Sequence, residues 1–202
     1  MRITQSLLSW RSFHGKNIQP PLRSLAWAFL PAAAAILTLL LSTASSSFAG
    51  SASWLASPVS GDWNTAGNWN AGGPPNGPAD TATFAFSSIT GVSLSANTEV
   101  NGIKFNAGAS AFTITASPTF ALTISGVGIT NNSMITQKFV AAGDSGGGVG
   151  TINFTNSATA GLLTVFTNNG GAVSGAFGGS TQFFGTSTAT NGTFTSNGGT
   201  VS

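Results

Sequence analysis

From residue 81 onward the chain is a succession of short apolar or alternating runs, each stopped by turn-forming residues. The runs cover residues 81–86, 100–105, 111–115, 120–125, 134–140, 151–154, 162–166, 181–184 and 192–195. They are rich in Phe, Ile, Val and Thr, side chains that suit a pleated, half-buried surface. No window beyond residue 49 carries an apolar stripe at the 3.6-residue helical period over ten residues. The pattern predicts an all-β region.

A longer period lies over this alternation. Phe154-Thr155-Asn156-Ser157 recurs thirty positions on as Phe184-Gly185-Thr186-Ser187, and Phe166-Thr167-Asn168-Asn169-Gly170-Gly171 recurs twenty-eight positions on as Phe194-Thr195-Ser196-Asn197-Gly198-Gly199. Self-similarity at a period of about 20 to 50 residues marks a solenoid, in which each repeat buries its apolar face only against its neighbours. A β-sandwich, the alternative, has hairpin-linked strands of regular length and no such period. The expected fold is therefore a short right-handed parallel β-helix over 81–202. At about 4.8 Å per coil and roughly 20 to 30 residues per coil, it would have about five to seven coils. Phe154 and Phe184 should point inward over one another, and the two Asn-Gly-Gly segments should form equivalent corners.

Residues 50–80 read differently. Trp54, Trp63 and Trp69 sit among Gly, Asn and the prolines Pro74, Pro75 and Pro78. Proline and dense turn formers exclude a helix or a central strand, while three indoles are too apolar for a scattered loop. This segment is expected to be a compact cap on the first coil.

Residues 1–49 change the picture again. Arg2, Arg11, Lys16 and Arg23 precede an apolar run over 25–41, no acidic residue occurs before Asp62, and Ser47-Phe48-Ala49 provides a small-residue exit. This is the layout of an export signal peptide, with a retained membrane anchor as the alternative. The chain's formal charge of +2 belongs to this segment. Beyond it, Lys104 and Lys138 face Asp62, Asp80, Glu99 and Asp144, a net charge of −2. Without clustered Lys and Arg, nucleic acid is excluded as a partner, and membrane association is confined to the N-terminal segment. The chain has no cysteine, so an exported form must be stabilised by its core and backbone ladders and not by disulfides.

Candidate chemistry is sparse. Gly143-Asp144-Ser145-Gly146-Gly147-Gly148 looks like the nucleophile segment of chymotrypsin-like proteases, but a serine needs a base, and the single histidine, His14, lies in the signal segment. A glycine-rich turn is the expected reading. The four carboxylates beyond residue 49 are isolated from one another in sequence, so no acid/base pair is predicted. No metal ligand set or phosphate-binding loop is recognisable, and no cofactor is expected. The tryptophans offer one binding option. Trp54, Trp63 and Trp69 could form a glycan-stacking platform if exposed, or the small core of the cap if buried.

Trp63-Asn64-Thr65-Ala66-Gly67-Asn68-Trp69, followed by Gly72-Gly73-Pro74-Pro75-Asn76-Gly77 and Asp80-Thr81-Ala82-Thr83-Phe84, resembles the start of the passenger regions of bacterial proteins with autotransporter-associated β-strand repeats, including PEP-CTERM-type surface proteins. Thr151-Ile152-Asn153-Phe154, Ser157-Ala158-Thr159-Ala160-Gly161 and Ser187-Thr188-Ala189-Thr190-Asn191 are similar to their repeats. The resemblance implies an exported or surface-displayed β-helical protein with a structural or adhesive role. It also implies a longer protein, because members end in an outer-membrane barrel or sorting tail, so the chain is expected to be an N-terminal fragment or the product of a truncated gene. The expected function is display without catalysis, with extracellular polysaccharide or cell-surface components as partners. The alternatives are a carbohydrate-binding module and a degenerate polysaccharide-degrading enzyme.

Overall fold

The structure is a computed structural model that describes residues 50–200, so the signal-peptide expectation for 1–49 lies outside the described residues. Eleven strands follow in order: β1 (Ala52–Ser53), β2 (Gly77–Phe84), β3 (Gly91–Ser93), β4 (Thr98–Phe105), β5 (Thr113–Ala116), β6 (Ala121–Asn131), β7 (Gln137–Ala141), β8 (Thr151–Phe154), β9 (Thr164–Asn168), β10 (Ser180–Phe183) and β11 (Gly192–Ser196). A single 3-10 turn occupies Ala66–Asn68.

Apart from β1 and β2, which are neighbours in one sheet, no two consecutive strands pair. The order β1-β2-β4-β6-β8-β10 makes one sheet and β11-β9-β7-β5-β3 the other, and every pairing between named strands is parallel. The chain therefore alternates between two sheets and advances one strand in each per circuit. This is a parallel β-solenoid of five coils, β2–β3 through β10–β11, with β1 added before the first. The β-sandwich alternative is excluded by the same pairing.

The core follows from in-register stacking. A parallel partner sits about 4.8 Å away, so an inward residue lies over its counterpart in the next coil. Ile114, Phe139, Phe166 and Phe194 form one such column, and Leu122 and Ile152 belong to another. Phe166 and Phe194 stack at 4.8 Å and 9°, close to the strand spacing itself. Across the coil the two sheets meet edge to face, Phe154 on Phe166 at 5.6 Å and 76°. Each fully buried phenylalanine contributes roughly 1.5–3 kcal/mol from removal of apolar surface from water.

The register differs from the expected one by a single residue. Phe154 pairs with Phe183 and stacks on it at 4.8 Å and 7°, whereas Phe184 is 49% exposed. Strand alternation allows only one of two adjacent phenylalanines inside. The left-handed residues Asn156 (φ 55°) and Gly185 (φ 67°) come together at the turn that follows, where Thr186 N–H donates to Asn156 O. The other expected equivalence holds. Asn168 pairs with Ser196, and Asn197 Nδ2 donates to Asn169 Oδ1 at 3.1 Å.

A third line of pairing runs beside the two sheets. Gly102, Gly128, Thr159 and Thr188 are successive parallel partners, and Ile129 N–H donates to Thr159 O at 2.8 Å. To reach this line β6 carries two more residues than β4 between Val100/Ile124 and Gly102/Gly128, a bulge. Its glycines made this half of β6 look like a loop in the sequence. A side chain at Gly128 (φ 89°) would collide with the Thr159 backbone.

The cap is less separate than expected. β2 begins inside it at Gly77 and includes Pro78, which is tolerated because pairing with β4 is irregular between Gly77 and Thr81.

Candidate functional site

The three tryptophans are core residues. Trp54, Trp63 and Trp69 are all buried, Trp69 meeting the other two at 5.1 and 5.0 Å and all three packing on Phe84 at 5.7–6.0 Å. Their indole N–H groups donate to the carbonyls of Ile89, Pro75 and Trp63 respectively. A stacking platform needs an open ring face, and these faces are covered by one another and by Phe84. The glycan-stacking option for Trp54, Trp63 and Trp69 is thereby corrected to the cap-core alternative.

Beneath them the buried Asn68 acts as a polar hub. Its Oδ1 accepts from the N–H groups of Val59 and Ser60, and its Nδ2 donates to Ser60 Oγ and Asp62 O. Such a hub replaces strand pairing in a segment whose backbone is irregular.

Three of the four carboxylates accept hydrogen bonds from residues close by in the chain. Asp62 accepts from Asn64 N–H and Thr65 Oγ1, and Asp80 from Asn76 N–H. Asp144 Oδ1 accepts from the N–H groups of Gly146 and Gly148 at 2.8 and 2.7 Å. That closes the Gly143–Val149 loop, whose ends form an antiparallel bridge, and leaves Ser145 exposed at its tip. Among the described residues no group of three His, Cys, Asp or Glu could hold a metal ion, and no helix is long and apolar enough to cross a membrane.

Concave surface occurs instead at the corners. A groove of about 350 Å³ is lined by Ile129 to Asn132, Thr159, Gly161, Leu162, Thr190 and Asn191, positions contributed by three successive coils. Asn131 fixes this corner, since its Nδ2 donates to the carbonyls of Ile135 and Leu163 while its Oδ1 accepts from Ser133 N–H and Oγ. Gln137 closes it from inside, buried, accepting from Phe112 N–H and donating to Ser110 O and Ser133 Oγ.

Large apolar side chains face outward here. Met134 is 82% and Leu162 60% exposed, with Ile135 and Leu163 beside them. Met134 and Leu163 adopt φ of 65° and 52°, a region costing a bulky residue of order 1–3 kcal/mol. The sequence runs 134–140 and 162–166 placed these residues inside strands. They are corner residues preceding β7 and β9, and two adjacent apolar residues just ahead of a turn-bounded strand are the signal that could have marked them.

A second groove of about 320 Å³ is lined largely by glycine backbone, at Gly143, Gly170, Gly171 and Gly198, with Asn169 and Asn197. No Lys, Arg, Asp or Glu follows Asp144 in the sequence. Neither groove has a charged side chain among its lining residues.

No known protein family, curated protein or solved structure matches this chain.

Proposed function

We propose that this chain is an exported or cell-surface protein whose solenoid serves a structural or adhesive role without catalysis. The observation that carries the reading is the placement of its reactive side chains. Asp62, Asp80 and Asp144 each accept from N–H groups within four residues of themselves, and no histidine occurs among the described residues to serve Ser145 as a base. Beyond Asp144 the chain has no charged side chain, and the coils there present Thr, Ser and Asn beside exposed apolar residues such as Leu162 and Phe177, a surface suited to display and contact. The likeness of the Trp63–Trp69 and Asp80–Phe84 segments to autotransporter-associated repeat and PEP-CTERM-type passengers supports the same reading.

The test is expression of the full chain in a Gram-negative host, followed by fractionation, N-terminal sequencing and adhesion assays. Recovery outside the cytoplasm with Gly50 as the first residue, and retention on polysaccharide-coated surfaces, is the expected outcome. Cytoplasmic retention, or turnover of a polysaccharide by the purified protein, would overturn the reading. A carbohydrate-binding module is the second reading. It is favoured by the uncharged corner groove, not by the buried indoles.

A further inference from the structure

We propose that the groove at the corners of the last three coils binds a neutral oligosaccharide chain, which deepens the adhesive reading by giving it a ligand class and a site. The volume, about 350 Å³, lies within the range of small-ligand sites, roughly 300–1,000 Å³. Its lining comes from three successive coils, so it extends along the solenoid axis and suits an elongated ligand.

Charge narrows the ligand. With no ionic side chain in the lining, a phosphate, uronate or ammonium group would lose hydration and gain no counter-charge. A neutral ligand has no such cost.

The polar groups narrow it further. Among the described residues, the side chains of Thr130, Asn132, Thr159 and Asn191 make no hydrogen bond within the protein, while Thr190 Oγ1 bonds only its neighbour Thr188 Oγ1. Hydroxyls and carboxamides each offer both donor and acceptor capacity. They match sugar hydroxyls, which also do both. A peptide added as a strand would instead need free main-chain groups. Here those groups already join the coils, Ile129 N–H to Thr159 O and Ala160 N–H to Thr188 O.

Leu162 supplies the remaining element. It lines the groove, is 60% exposed and stands beside the exposed Leu163, apolar surface that the C–H face of a sugar ring would cover.

The test uses the full chain and neutral hexasaccharides of glucose, mannose and xylose, with oligogalacturonate as the anionic control. Calorimetric titration should show saturable binding of at least one neutral hexasaccharide and none of the control. Thr159→Val combined with Asn132→Ala should weaken it about fivefold or more, two lost hydrogen bonds at about 0.5–1.5 kcal/mol each. Leu162→Ser should weaken it too, while Lys138→Ala, outside the groove, should not. Independently of any variant, the ligand should move the amide resonances of Gly161, Leu162 and Asn191 in the wild-type protein and leave the three buried indoles unmoved.

Absence of neutral hexasaccharide binding, preference for oligogalacturonate or for an apolar peptide, or unchanged resonances at Gly161 and Leu162 would each overturn the proposal. Adhesion that persists in the groove variants would remove the groove and leave the adhesive reading standing. A protein that is not exported would remove the display reading whatever the titration shows.

Discussion

In the cap Trp69 meets the other two indoles at 61–82° and all three close over Phe84 of the first coil, while in the last coil Phe183 and Phe194 lie nearly flat on Phe154 and Phe166, at 7° and 9°. The first arrangement is made by irregular backbone and needs polar support, from Asn68, Asn64, Asn70 and Asn76. The second is made by strand pairing alone, because parallel strands in register place like on like. Burial differs accordingly. Trp63 is fully covered, whereas Phe194 remains 39% exposed and β11 has a strand neighbour on one side only among the described residues. Apolar burial is therefore completed by geometry that does not repeat, and propagated by geometry that does.

The largest effect that can break this contrast is removal of a covered ring. Trp63→Ala should cost about 3–5 kcal/mol, read as a lowered midpoint in denaturant unfolding, and Phe166→Ala in the interior column should cost about as much. Next comes the polar scaffold. Asn68→Ala leaves the part-buried N–H groups of Val59 and Ser60 without their acceptor and should cost about 1–3 kcal/mol in all, whereas Asn197→Ala, on an exposed Asn–Asn contact, should change stability by less than about 0.5 kcal/mol. Equal losses at the two positions would show that the first coil does not depend on its asparagine scaffold.

A smaller effect is expected in the last coil. Phe194→Ala and Phe183→Ala, each with one stacked neighbour along its sheet, should cost about 1–2 kcal/mol, a partial share of the value for a fully buried side chain. Hydrogen exchange should likewise be faster in β10 and β11 than in β4 and β6, as expected where fewer contacts protect the backbone. The smallest effect separates two registers: Phe184→Ala should lie within about 0.5 kcal/mol of wild type. If Phe184→Ala were more damaging than Phe183→Ala, the pairing would follow the thirty-residue spacing and not the observed one.

Much of the fold was legible beforehand, for identifiable reasons. Strands such as Thr151–Phe154 and Gly192–Ser196 declare themselves by β-branched and aromatic content between turn residues. The Asn-Gly-Gly corners announce their equivalence by simple repetition. β3 was not legible, because Gly91-Val92-Ser93 carries a single apolar residue and is recruited by pairing with Ile114 and its neighbours. The bulged half of β6 was hidden by Gly126 and Gly128. The corner groove was hidden for a different reason. Leu162 and Met134 look like strand residues until the backbone turns them outward.

The sequence by itself determined that residues 81–200 form short strands with a recurring period, because side-chain alternation and turn chemistry are local properties. It also determined that the core would be built from Phe, Trp, Ile, Val and Leu, since a cysteine-free, weakly charged chain has no disulfide or ionic substitute for an apolar core. Only the tertiary structure decided which of Phe183 and Phe184 enters the core, that the tryptophans cover one another, and that three corners combine into one groove. Each of these depends on the registration of one coil over the next. Registration is set by contacts between residues some twenty to thirty positions apart, where a shift of one residue exchanges inside for outside.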